Sequence, residues 1–281
     1  MRYISRCLDS ILTQTLKEIE ILVVDGNSTD GTTDIVKSYV YHDKRIRLIQ
    51  QDPQKPGVMV AKREGYMAAA GQYIAFCDAD DTMPIEALQI LYNKAISQNA
   101  DVVIGEIVYL LRTNEIACSC QSIKKNKVYI DSFLNKEIEN RMTGKLYSRA
   151  LLQKSGLPAI PRMALGEDWL FNYLLAGNIK SWCTLKNIVY SYYQHESSIT
   201  YSSQTDDYAD SWLYAMKLIW DKYGNNPKLK ERIANDLSMA CTQLLLRGLS
   251  FSALSAAANK YQMQWVMDPN KLRVSSQKKM S

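Results

Sequence analysis

Residues 19–31 read Ile19-Glu20-Ile21-Leu22-Val23-Val24-Asp25-Gly26-Asn27-Ser28-Thr29-Asp30-Gly31, and this stretch decides the fold. A nearly continuous apolar run stops at Asp25 and passes straight into turn chemistry. Such a run without polar alternation predicts a strand covered on both faces, and the Gly-Asn-Ser succession predicts a tight turn. Upstream, Ile4, Leu8, Ile11, Leu12 and Leu16 fall at helical spacing, with Arg6, Asp9 and Gln14 on the other face. Downstream come a helix to about Tyr41, a strand Ile46–Ile49 and a loop Pro53–Gly57. A helix to about Ala70 follows, with Val60, Met67 and Ala68 as its apolar positions. Then come a strand Tyr73–Cys77, a helix Ile85–Gln98 and a strand Asp101–Tyr109. Strands alternating with helices predict an α/β fold, a mostly parallel sheet flanked by helices. Ligands in such sheets bind outside the carboxyl ends of the strands. Asp25 and the cluster Asp78-Ala79-Asp80-Asp81 both stand at such ends.

The second half is less regular. Residues 112–127 are polar and read as an excursion. Helical stretches near Asp131–Arg141 and Arg149–Ser155 precede a loop from Pro158 to Pro161. Gly166-Glu167-Asp168 opens a helix Trp169–Leu175, and Ile188 to Gln194 has the β-branched and aromatic character of a strand. From about Thr205 the chain reads as helices, with Trp212, Met216, Leu218 and Ile219 as a core stripe. The predicted division is therefore residues 1–203 as an α/β domain and 204–281 as a helical C-terminal region.

Composition bounds the function. The 281 residues allow two domains or one large α/β domain, and 47% apolar with 22% charged residues is ordinary globular chemistry. The longest stretch free of Asp, Glu, Lys and Arg runs only from Gly65 to Cys77. A spanning helix needs roughly 20 consecutive apolar residues, so none is predicted. Arg2, Arg6 and Asp9 stand where a secretory signal would place its apolar block, so the expected location is cytoplasmic. Net charge is 34 − 29 = +5, without a basic cluster interleaved with aromatics, so no nucleic-acid partner is expected. Lys271, Arg273, Lys278 and Lys279 make the tail basic. That tail reads either as a solvated end or as a weak attraction to an anionic membrane surface, which would place the protein peripherally at the inner face of the cell membrane. The six cysteines form no Cys-x-x-Cys pair and read as reduced thiols.

Three carboxylates in four residues, Asp78, Asp80 and Asp81, repel one another unless a cation or solvent relieves them. Hard oxygen ligands at a strand end suit Mg²⁺ or Mn²⁺, which bind through one or two carboxylates plus substrate phosphates. The plainer alternative makes Asp81 the cap of a helix starting near Pro84 and leaves the other two solvated. Asp25 equally suits an Asx-type turn. Glu167 and Asp168 equally suit the acidic first turn of a helix. His195, one of two histidines, reads on its own as structural or exposed, and Cys77 with the tyrosines of 190–193 as core or pocket wall.

Taken together these pieces resemble the inverting glycosyltransferases of family 2, which have a GT-A fold. The matching segments are Val24-Asp25-Gly26-Asn27-Ser28-Thr29-Asp30-Gly31, Gly71-Gln72-Tyr73-Ile74-Ala75-Phe76-Cys77-Asp78-Ala79-Asp80-Asp81, Gly166-Glu167-Asp168-Trp169 and Tyr193-Gln194-His195-Glu196-Ser197-Ser198-Ile199-Thr200, in order over residues 2–200. The resemblance implies that Asp25 contacts the nucleobase, Asp78 the nucleotide sugar and Asp80 the divalent metal. It implies that Asp168 is the catalytic base, that Glu167 helps hold the acceptor, and that His195 lies on the metal or diphosphate. Lys62 stands where relatives commonly have Arg, so no diphosphate role is assigned to it. The implied cofactor is Mn²⁺ or Mg²⁺, the donor a nucleotide sugar such as a UDP-sugar, and the acceptor a saccharide or lipid-linked saccharide of a surface polysaccharide.

The family ordinarily begins with an apolar strand before the Tyr3-x-x-x-Cys7-Leu8-Asp9-Ser10-Ile11 helix. Here Met1-Arg2-Tyr3 opens that helix, and the expectation is a chain shortened by about one strand. Two competing readings stay open at this point. One is a shortened, non-catalytic relative that only binds nucleotide. The other is a glycosidase, which also needs two carboxylates but no metal-type cluster.

Overall fold

The computed structural model describes residues 3–111, 116–118, 128–160, 163, 166–195, 205–268 and 272. Most of the 112–127 excursion, Glu196–Thr200 of the last motif and the basic residues Lys271, Arg273, Lys278 and Lys279 lie outside them. The chain divides into two compact units, 1–161 with 167–198, and 162–166 with 199–281.

The first unit opens on α1(Ile4–Leu12) and continues β1(Ile21–Asp25), α2(Thr32–His42), β2(Ile46–Gln50), α3(Val58–Ala68), β3(Tyr73–Ala75), α4(Ala87–Gln98) and β4(Val102–Leu110). It is completed by β5(Ile116–Cys118), α5(Tyr129–Leu134), β6(Lys145–Ser148), α6(Arg149–Ser155), α7(Glu167–Ala176) and β7(Trp182–Tyr193). β1 and β2 pair in parallel as a two-stranded sheet, and the other strands form a five-stranded sheet around β4. β4 runs parallel to β7 and antiparallel to β6 and β5, and β3 adds to β6 antiparallel. The fold is α/β as the alternation predicts, with antiparallel pairings entering through β5 and β6.

Among the described residues, two apolar cores explain the arrangement. Ile4 and Leu8 of α1 pack with Val36 of α2 and with Ile21 and Ile46 of the small sheet. Leu88, Leu91 and Ala95 of α4 cover Val103 and Ile107 of β4, Leu146 of β6, and Val189 and Tyr190 of β7. Within that core Gly105 lets β4 approach β7, since a Cβ there would run into Val189.

Gln14 departs from the expected solvated face: it is fully buried. Its amide donates to the carbonyls of Pro84 at 2.7 Å and Ser10 at 3.0 Å, and its Oε1 accepts the Leu88 N–H at 3.0 Å. A buried amide is stable where its hydrogen bonds are made, and here they tie the end of α1 to the start of α4. The periodicity missed β6. Lys145 begins it, and its buried ammonium donates to the Glu139 carbonyl at 2.6 Å. Burial pushes the Lys145 pKa down to about 8.

The second unit holds α8(Ala209–Tyr223), α9(Lys230–Leu246) and α10(Phe251–Lys260). Trp212, Met216 and Ile219 form the buried stripe of α8, as their spacing predicts, while Leu218 is half-buried. Ser250 caps α10, its hydroxyl accepting the Ala253 N–H at 3.1 Å. No described helix is long and apolar enough to cross a membrane.

Candidate active site

β1 ends by burying Asp25 against its own turn. Oδ1 accepts the Ser28 hydroxyl at 2.6 Å and the Ser28 N–H at 3.1 Å. Oδ2 accepts the Thr33 hydroxyl at 2.5 Å and the Gln50 amide at 2.8 Å. Burial alone would push this carboxyl up, but the hydrogen bonds from Ser28, Thr33 and Gln50 outweigh it and hold the pKa at about 2. Asp25 is therefore an ionised Asx-turn residue that fixes the loop leading into α2.

The acidic loop after β3 is held from two sides. Asp81 is buried and does not cap α4, whose N-cap is Glu86. Its Oδ2 accepts the Tyr190 hydroxyl at 2.8 Å and its Oδ1 the Tyr193 N–H at 2.9 Å. Burial, with Asp80 and Asp78 adding to it, pushes the Asp81 pKa up to about 7. The Tyr190 hydroxyl also accepts the Asp78 N–H at 3.0 Å. From α1, the Arg6 guanidinium donates to the Asp80 carbonyl and lies 3.6 Å over the Tyr193 ring. Asp80 Oδ2 lies 2.7 Å from His195 Nε2, and the imidazole stacks on Tyr3 at 4.6 Å.

The first turn of α7 brings Glu167 and Asp168 to the same region. Lys62 of α3 reaches between them and the loop: Nζ is 3.4 Å from Asp78 Oδ1, 3.7 Å from Glu167 Oε1 and 3.8 Å from Asp168 Oδ1. Burial works against the Lys62 charge, but Asp78, Asp168 and Glu167 more than compensate and raise its pKa. Glu167 is pushed up to about 7 by burial and by Asp168, with Lys62 opposing. Asp168 Oδ1 accepts the Met142 N–H at 2.8 Å. Its Oδ2 has no hydrogen-bond partner among the described residues, and the side chain is 23% exposed. One oxygen is thus anchored and the other left open.

The family model described as glycosyl transferase family 2 matches residues 2–155, more than half of the 281 residues. The chain belongs to glycosyl transferase family 2. GlyA of Streptococcus pneumoniae, a glycosyltransferase, is 39% identical over 103 residues, covering 37% of this chain and 14% of GlyA. EpsJ of Bacillus subtilis, an uncharacterized glycosyltransferase, is 26% identical over 240 residues, 82% of this chain and 69% of EpsJ. Among solved structures, S. aureus TarS 1–349 in complex with UDP-GlcNAc superposes with a TM-score of 0.64 at 20% identity, covering 94% of this chain and 75% of that one. That likeness carries the GT-A fold.

In this family 2 domain the predicted residues gather unevenly. Asp78, Asp80, Glu167, Asp168 and His195 fall into two contacting groups joined through the loop after β3. Asp25 stands apart, with all its partners in its own strand, turn and helix and in neighbouring β2. Among the described residues no cage of three or more His, Cys, Asp or Glu assembles. The donor set Asp80 Oδ2 and His195 Nε2 nonetheless fits an open site. Neighbouring ligands of an octahedral Mg²⁺, at about 2.1 Å from the ion, stand about 3 Å apart, close to the 2.7 Å seen here. Sequence reasoning missed Tyr3, Arg6 and Met142 and assigned Lys62 no role, while Tyr190, read as core or pocket wall, is buried and also bonds the acidic loop. Arg6 reads as a solvated helix residue because its aromatic partner Tyr193 is 187 positions away in sequence. Met142 contributes a backbone N–H, which leaves no trace in side-chain pattern.

Proposed function

We propose that this chain is a metal-dependent inverting glycosyltransferase. It moves a sugar from a nucleotide-sugar donor, a UDP-sugar, to a hydroxyl of a saccharide or lipid-linked acceptor in surface polysaccharide synthesis. The observation that carries the reading is the half-anchored carboxylate of Asp168. The Met142 N–H fixes Oδ1, and Oδ2, with no hydrogen-bond partner among the described residues, can take a proton from an acceptor hydroxyl. A general base needs that geometry before it needs any particular pKa. As Oδ2 of Asp168 removes the proton, the acceptor oxygen attacks the anomeric carbon opposite the leaving diphosphate, and one displacement inverts the centre. Glu167, its carboxyl raised to about 7 by burial, is partly protonated near neutrality and in that form can donate a hydrogen bond to an acceptor hydroxyl.

On the donor side Asp78 holds the nucleotide sugar, and Asp25 stands at the nucleobase position through its ordered turn. Asp80 and His195 would hold Mn²⁺ or Mg²⁺, which when bound supplies positive charge against the diphosphate leaving group. The UDP-GlcNAc carried by TarS supports the choice of a UDP-sugar. The test is a mass-spectrometric screen of UDP-sugars with Mn²⁺ for UDP release and for transfer to saccharide acceptors. Release from at least one UDP-sugar is expected. A purified, folded chain that turns over none of them and binds no UDP would overturn the reading.

A further inference from the structure

Lys62 is the one cation among the described residues within 4.0 Å of Glu167 or Asp168. The other positive groups acting on this pair are engaged elsewhere. Arg141, in the segment after α5, stacks 4.0 Å over Tyr192, and Lys145 of β6 bonds the Glu139 carbonyl at 2.6 Å and Asn172 Oδ1 at 3.3 Å. Asp78 faces the pair from the loop after β3, and the buried Tyr147 hydroxyl of β6 donates instead to the Met142 carbonyl. A single ammonium, 10% exposed, thus stands among three carboxylates from two elements. At 3.4–3.8 Å it is shared by all three and closes a short hydrogen bond with none.

This arrangement has two consequences. Three carboxylates packed in a part-buried space repel one another in their ionised forms, and the shared cation offsets that repulsion. Lys62 also approaches the same oxygen, Oδ1 of Asp168, that Met142 holds. Both anchors therefore act on one side of the carboxylate and leave Oδ2 directed away from them. We propose that Lys62 is a positioning residue for the base: its ammonium steers the Asp168 carboxylate and compensates the charge of the Glu167–Asp168 pair, linking both to the donor-side Asp78. The proposal rests on the assignment of Asp168 as base.

The test has two arms, made with Lys62→Met, which removes the charge at similar length, and Lys62→Arg, which keeps it. The first arm needs no turnover. Carbon-13 carboxyl shifts are followed from pH 4 to 9 in Asp- and Glu-labelled protein, with Glu167→Gln and Asp168→Asn providing the assignments. Lys62→Met should raise the titration midpoint of Glu167 by about one pH unit, the usual effect of losing a close opposite charge, and Lys62→Arg should restore it. The second arm follows transfer from pH 5 to 9 with the UDP-sugar found by the screen. Lys62→Met should move the acid limb of kcat upward, with donor KM within about twofold. Lys62→Arg should return the limb.

Unchanged carboxyl midpoints in Lys62→Met would overturn the proposal whether or not the base assignment stands. So would a rise confined to donor KM with the limb unmoved, which would make Lys62 a donor contact. Full activity of Asp168→Asn is the separate result that sinks the base. If Lys62→Met does not fold by circular dichroism, Lys62→Gln makes the same comparison.

Discussion

His195 Nε2 and Asp80 Oδ2 lie 2.7 Å apart although 115 residues separate them in the chain. Tyr3 stacks on the imidazole from α1's leading edge and Arg6 bonds the Asp80 carbonyl, so one helix steadies both partners. If the pair holds the donor's metal, EDTA should abolish UDP binding measured by calorimetry, and Mn²⁺ should restore it. Asp80→Ala should weaken UDP binding and His195→Ala should lower activity, with the melting temperature little changed for His195→Ala. An unchanged UDP affinity in EDTA counts against the metal. A destabilised His195→Ala with normal activity per folded molecule would make the histidine structural.

Asp168→Asn keeps the shape of the side chain and its acceptor for the Met142 N–H, but removes proton uptake at Oδ2. Transfer should fall by roughly 10²–10⁴, the usual contribution of a general base, while UDP affinity stays near wild type. Single-turnover measurements with saturating donor separate the two quantities. Wild-type transfer rates in this variant would refute the mechanism.

Asp25 links acid stability to the turn before α2. Its folded pKa, about 2, lies below the ordinary 3.8. The stabilisation is thus present above about pH 4 and lost as pH falls from there toward 2. Urea unfolding at a series of pH values should show wild type weakening through that window. Asp25→Asn should be less stable at pH 7 by roughly 1–3 kcal/mol, because it breaks hydrogen bonds to a charged group, and its acid limb should be flatter. Parallel acid limbs would exclude Asp25 as their source.

Gly166 has φ +87°, and a Cβ there would run into the Trp212 ring. A left-handed backbone and a blocked side-chain position act together, so Gly166→Ala should cost roughly 2–4 kcal/mol. Differential scanning calorimetry should register this as a fall of several degrees. A melting temperature equal to wild type would mean that the ring moves aside freely.

Much of the fold is legible because burial leaves a mark on residue order. Ile21–Asp25 and Val102–Leu110 are covered strands, and their apolar runs say so. The acidic positions are legible because Asp25 and the Asp78–Asp81 cluster stop apolar strand runs, and because Glu167 and Asp168 follow Gly166 in a segment that resembles the family's. What stays hidden is whatever depends on a partner far along the chain. Lys145 opens a strand as a charged residue, and the Glu139 carbonyl and Asn172 beside it help make its burial tolerable. Gln14 reads as solvated until the carbonyls of Met83 and Pro84 appear next to it. Lys62 is left without a role until α7 and the β3 loop bring carboxylates to it from 105 and 16 positions away.

The Tyr190 hydroxyl grips the acidic loop twice, accepting from Asp78 and donating to Asp81, while its ring lies fully buried in the β7 core. The phenol works as a plumb line between the two. A substitution that shifts β7 by a fraction of an ångström, at Val189 for instance, is transmitted to the backbone on which Asp78 and Asp80 ride. Random mutagenesis selected on altered donor preference should therefore return hits among apolar β7 residues that touch no substrate.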